Sequence, residues 1–181
     1  MAATCVPVLI AALGCGASRP TTEDAAEAET ADRVCDMLRG WYNDLSTSVN
    51  ATMETITDQD DPTTANGILL NGWDDLLTLS QAHEQQAAEL TLPYSADRAR
   101  LLADLQDGAA AATDRLESER TDIENAAPIT VDQQGGTLAG AELAIEGARA
   151  LFEPPVEDYG NAALLQAFAD NDGCDHVVQT N

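Results

Sequence analysis

Apolar residues recur at steps of three and four along most of this chain, the period of an amphipathic α-helix rather than of a strand. Over residues 31–57, Cys35, Leu38, Tyr42, Leu45, Val49, Thr52 and Ile56 follow that spacing, flanked by Val34, Trp41 and Met53. Asp36, Asn43, Thr47, Asn50 and Glu54 take the other side, so the pattern predicts a first helix with one buried stripe. Asp58-Gln59-Asp60-Asp61-Pro62 ends it, because Pro62 has no N–H with which to continue the ladder. A second helix, predicted over 64–90, places Leu69, Trp73, Leu76, Ser80, His83, Ala87 and Leu90 together, widened by Leu70 and Leu77. Thr91-Leu92-Pro93-Tyr94 breaks it, and Ser95 is the expected N-cap of a third helix reaching about residue 126.

That third helix turns Leu102, Leu105, Ala109, Ala112, Leu116 and Ile123 inward, and its small residues imply close approach to a neighbour. Residues 128–136 read as a loop in which Ile129-Thr130-Val131 forms a short extended piece. A fourth helix is expected over 138–152, with Leu138, Ala141, Ile145, Ala148 and Phe152 inward, stopped by Pro154-Pro155. A short fifth helix over 161–169 offers Leu164, Leu165 and Phe168, with Gly173 as end-cap. Short connections force consecutive helices to run antiparallel. The expected fold is therefore all-α: an up-down antiparallel bundle of four long helices plus a short C-terminal helix. No repeat of solenoid period is present.

The first residues follow a different pattern. An uncharged apolar run from about Cys5 to Leu13, broken only by Pro7, is too short to span ~30 Å of hydrocarbon but suits the apolar region of a cleaved signal. It closes on Ala12-Leu13-Gly14-Cys15, followed by Gly16-Ala17-Ser18. This stretch resembles the lipobox of bacterial lipoproteins. It departs from the family pattern in having no Lys or Arg in residues 1–4 and Ala12 where the family usually has Leu. The resemblance implies cleavage before Cys15, which would carry a diacylglyceryl thioether and anchor the chain on the outer face of the cell membrane. Two acyl chains suffice for stable anchoring where one is marginal. Residues 1–14 are then signal, 15–30 the lipidated cysteine and a flexible Ser/Thr/Pro/Glu/Ala spacer with a reach of roughly 20 Å, and 31–181 the bundle domain. Without the resemblance, the same run is an ordinary secretory signal or an apolar tail on a cytosolic protein.

Charge narrows the partners. The 181 residues carry 32 Asp and Glu against 8 basic residues, all arginine, for a formal charge of −24, and every acid lies after Cys15. Such a surface repels nucleic-acid phosphates and anionic lipid, so no nucleic-acid partner is expected and membrane contact is expected only through the anchor. The absence of lysine, with abundant alanine and arginine as every cation, resembles the composition of GC-rich, salt-adapted actinobacteria. With Cys5 removed and Cys15 acylated, Cys35 and Cys174 remain, an even pair that reads as one disulfide in an exported protein. In a cytosolic protein they would be two buried thiols.

Candidate chemistry is sparse. His83 lies on the apolar face of the second helix and His176 follows Cys174-Asp175, but neither belongs to a His-x-x-x-His or Glu-x-x-His pair, so no metal site is expected. Asp58, Asp60 and Asp61 begin like a calcium loop, which Pro62 and Thr63 exclude. Asp74-Asp75, and Glu117 with Glu119, could do acid–base work only in a cleft that separates their pKa values, and read as surface acids. Asn50-Ala51-Thr52 matches a glycosylation acceptor but falls inside a helix. No nucleophile elbow, phosphate loop or dinucleotide fingerprint occurs and Cys35 has no catalytic partner, so neither an enzyme nor a cofactor is expected. The expected role is a non-enzymatic envelope module binding another envelope protein or acting as an accessory factor. The alternatives are a small-ligand carrier with an apolar pocket formed by Trp41, Tyr42, Trp73 and His83, and a weak acidic metal binder.

Overall fold

In the computed structural model, residues 21–57, 59–125 and 131–174 are described, the side chains of 131–139, 141 and 142 excepted. The elements are α1 (Thr22–Thr57), α2 (Pro62–Glu89), α3 (Ala96–Asn125), α4 (Val131–Phe152), a 3₁₀ turn (Val156–Tyr159), α5 (Ala162–Ala169) and a second 3₁₀ turn (Asp172–Cys174). All described regular structure is helical, as the three-four spacing requires.

Local chemistry fixes where α1, α2, α3 and α5 begin. Asp61 caps α2 by accepting the Thr64 N–H at 2.9 Å, with Pro62 in the first turn where its missing donor costs nothing. The Thr64 hydroxyl, then its amide, hold the Asp61 carboxyl below the ordinary range. Ser95 Oγ accepts the Arg98 N–H at 3.1 Å, and Asn161 Oδ1 the Leu164 N–H at 3.0 Å. At the start of α1, Thr21 and Asp24 cap each other reciprocally, the Thr21 N–H donating to Asp24 Oδ2 at 2.7 Å.

The long helices form an up-down bundle in which α1 packs on α2, α2 on α3 and α3 on α4, with α5 laid against α1. Paired positions show the antiparallel sense: Asp44 meets His83 and Arg33 meets Thr91, while Asp74 meets Arg120 and Ser80 meets Thr113. The core holds Trp41, Trp73, Phe152 and Phe168 among leucines from α1, α2, α3 and α5, with Ala144, Ile145 and Ala148 from α4. Trp41 meets Phe152 edge-on at 5.0 Å, which joins α1 to the end of α4. Among the described residues, no helix is long and apolar enough to cross a membrane.

Cys35 and Cys174 form a disulfide with Cα atoms 5.2 Å apart, closing 139 positions of sequence and tying the last turn to α1. Both cysteines are buried. Such a bond is compatible with an extracytoplasmic location.

Several boundaries differ from the sequence reading. Residues 22–30, expected as spacer, are the first turns of α1, and Glu27 and Thr30 are buried there. The stripe continues N-terminally through polar side chains that find partners, which a search for apolar periodicity passes over. Residues 131–136, expected as loop, belong to α4, so Val131 is helical rather than extended, and the helix accommodates Gly135-Gly136. Ile129 and Thr130 lie outside the described residues, and the inward placement of Leu138 and Ala141 outside the described side chains. Gly173 is not the end-cap: α5 closes on Asp170, whose N–H bonds to Gln166 O, and among the described residues the left-handed one is Gly160, at φ 66°, closing the first 3₁₀ turn. Within the stripes, Trp41 rather than Tyr42 and Leu101 rather than Leu102 are the fully buried members.

Close approach of α3 to α4 is set by Gly108, where an added Cβ would collide with the backbone carbonyl of Leu151. Gly108→Ala is therefore expected to cost about 1–3 kcal/mol. In contrast Gly67, exposed in α2 with nothing near its Cβ position, should gain roughly 0.5–1 kcal/mol as alanine from helix propensity. Urea unfolding of the two variants checks the opposite signs.

Candidate functional site

The best-built polar cluster joins three helices around a buried ion pair. Arg98 of α3 lies 2.9 Å from Glu27 of α1, and the two side chains are 8% and 2% exposed. Arg98 also donates through Nε to the Pro93 carbonyl at 2.7 Å and through Nη2 to the Tyr94 carbonyl at 3.3 Å. Asn161, at the head of α5, donates to Glu27 Oε1 at 3.3 Å and to Asp97 Oδ2 at 3.2 Å while capping its own helix. The guanidinium is thus hydrogen-bonded to two carbonyls and ion-paired with a carboxylate, its buried Nη1 lying close to Glu27 without a well-aligned hydrogen bond. It clamps the α2–α3 turn and offers no free fork to an outside anion. Glu27 lay in the stretch read as spacer, so the cluster was invisible to the sequence pattern, although the Glu27, Ala31, Val34, Leu38 spacing was there to extend.

The four pocket residues expected from the sequence do not converge. Trp41 and Tyr42 line one small cavity of about 80 Å³, with Leu38, Arg149 and Glu153. That is room for very few water molecules and well below the ~300–1,000 Å³ of ordinary ligand pockets. Trp73 is buried beside Gly72, which packs on Thr52 of α1. Thr52 is eleven residues, or about 16 Å along the helix, from Trp41. The Trp73 indole N–H is buried without a hydrogen-bond partner. His83 sits over Gly40, its Nε2 3.0 Å from Asp44 Oδ2 and its Nδ1 buried without a partner. Tyr42 donates to Glu146 at 3.3 Å beneath the Arg149 guanidinium.

Two wider grooves flank α1. One of about 610 Å³ runs against α5 and the last turn, past Asp24, Asp32, Arg39, Gln166 and Asp170. Its Asp32 accepts from Asn171 at 2.6 Å, and Asp24 is the α1 cap. The other, of about 490 Å³, lies between α1 and α4 past Tyr42, Val49, Asn50 and Ile145. Asn50 is exposed on α1, while Thr52 of the same acceptor motif donates back to Ser48 O and is half-buried.

Each described arginine lies within 4.0 Å of a carboxylate: Arg33 by Glu29, Arg39 by Asp36, Arg98 by Glu27, Arg100 by Asp104, Arg115 by Glu119, Arg120 by Asp74 and Glu124, and Arg149 by Glu146 and Glu153. The few cations are therefore distributed locally and build no basic patch among the described residues. Tyr159 donates to Asp104 at 2.7 Å under Arg100. Burial, then that hydrogen bond, pushes its phenol well above the ordinary range. Among the described residues no group of three or more His, Cys, Asp or Glu is placed to hold a metal ion. Cys15 and His176 lie outside the described residues.

No protein-family model, curated protein or solved structure matches this chain.

Proposed function

We propose that this chain is a lipid-anchored, extracytoplasmic helical bundle that works without catalysis, as a binding or accessory module for another envelope protein. The observation that carries the reading is the apolar run closing on Ala12-Leu13-Gly14-Cys15, which resembles a lipobox. Two features support it. A disulfide between α1 and the last turn suits an oxidising compartment. The buried polar side chains are engaged in holding helices together, as in Glu27–Arg98–Asn161 and Ser80–Thr113, rather than converging on a reaction centre.

With α1 starting at Thr22, six residues separate Cys15 from the Thr22 helix start. The tether's maximum reach is then shorter than that of a fifteen-residue spacer. Cys15→Ala is expected to leave the protein as an uncleaved precursor or release it from the membrane fraction, and an inhibitor of lipoprotein signal peptidase to increase the size of the wild-type product. An unchanged mass with inhibitor, together with a Cys15→Ala protein that stays in the membrane fraction, would exclude the anchor.

A further inference from the structure

We propose that the uncharged turn 90–95, between α2 and α3, is a lipid-contacting tip that seats the bundle on the membrane surface, with the Tyr94 ring at headgroup level. This rests on the Cys15 anchor proposed above.

The placement follows from contacts already described. Arg98 holds the carbonyls of Pro93 and Tyr94 and pairs with Glu27. Glu27 is five residues from the start of α1, about 7.5 Å along the helix. Arg33 of α1 donates to the Thr91 carbonyl of the same turn at 2.8 Å. The turn therefore belongs to the end of the bundle at which α1 begins. Seven residue steps lead from Cys15 to Thr22, which at full extension reach at most about 25 Å. An acylated Cys15 keeps this end, and not the Asp60-Asp61 end, next to the bilayer.

The chemistry of the turn fits a lipid surface. Leu90-Thr91-Leu92-Pro93-Tyr94-Ser95 carries no charge in a chain whose formal charge is −24. Tyr94 is 95% exposed, the most exposed of the large hydrophobic side chains described, whereas Tyr42 and Tyr159 are engaged with charged neighbours. Leu92 and Pro93 beside it are half-buried. A ring with an apolar body and a polar tip is favoured at the bilayer–water boundary. The clamp by Arg98 presents it on a fixed backbone, so little ordering is needed on contact. Glu23, Asp24 and Glu29 near the same end are exposed carboxylates, which selects zwitterionic over anionic headgroups.

The test uses the full acylated protein, with its lipid confirmed by intact mass, in phosphatidylcholine vesicles whose acyl chains carry bromine. Trp41 and Trp73 are buried, so wild-type emission should change little. Tyr94→Trp should add emission that shifts to the blue and is lost to bromine quenching, while Asp60→Trp, at the far end, adds emission that is not quenched. Anionic vesicles at low salt should reduce the quenching at position 94. Acylated protein that floats with vesicles but shows no more quenching at 94 than at 60 overturns the tip and leaves the anchor standing. Protein without acyl groups overturns both. A photo-crosslinker at position 94 that captures protein rather than lipid in intact cells assigns the turn to a protein partner and overturns the proposal.

Discussion

Replacing both Cys35 and Cys174 with alanine is expected to lower the unfolding free energy by about 5 kcal/mol, the chain-entropy value for a loop this long. The bond closes 139 positions, so its loss returns the loop-closure entropy of most of the chain to the unfolded state. For a domain of this size that corresponds to a fall in Tm of roughly 10–20 °C. Thermal unfolding followed by circular dichroism, with and without reductant, reads the effect directly. The native far-ultraviolet spectrum should survive at low temperature, because the helix pairings do not pass through the bond. Identical melting of oxidised and reduced protein would show that the staple contributes nothing.

Arg98→Met should cost about 3–5 kcal/mol, since it leaves the Glu27 carboxylate buried without its counter-charge. Glu27 is already short of one partner, its Oε2 being buried without a hydrogen bond, so no spare donor is in place to take over. The double variant Glu27→Leu with Arg98→Met is expected to recover much of the loss, because replacing both charges removes the desolvation penalty along with the attraction. A double-mutant cycle in urea measures the coupling. An Arg98→Met protein within ~1 kcal/mol of wild type would show that water reaches Glu27 and that the pair is not sealed.

Most of the helical architecture was legible in the spacing of Leu, Ile, Val, Trp and Ala; the cap at Ser95 marked the start of α3, and α5 begins within a residue of where the pattern put it. The reason is physical: a helix that must bury one face repeats its apolar residues at 3.6, and its orphan amides demand Ser, Asp or Asn at known positions. The failures share a cause as well. Glu27 and Thr30 are polar members of the buried stripe, and only the fold reveals the Arg98 and Asn161 that make Glu27 tolerable there. Trp41 and Trp73 share a face type but not a level along the bundle, and a pattern read in one dimension does not separate the two. The Cys35–Cys174 pairing was legible because the lipobox resemblance assigned Cys5 to the signal and Cys15 to the anchor, which left one combination. Tyr94 reads in the sequence only as part of the helix-breaking stretch 91–94, and the role proposed for it depends on the three-dimensional fact that its turn lies beside the start of α1.

The staple between the first helix and the last turn also sets an order of events during biogenesis. Cys174 follows all four long helices in the chain, so α1, α2 and α3 are made before it and can already be joined by pairings between neighbours in sequence. Local pairings of this kind form quickly, whereas thiol oxidation takes seconds or longer. The covalent bond therefore cannot guide the search for the native topology. It latches a bundle that has already assembled, and nascent chains will pass through a reduced, helical stage before they become resistant to heat.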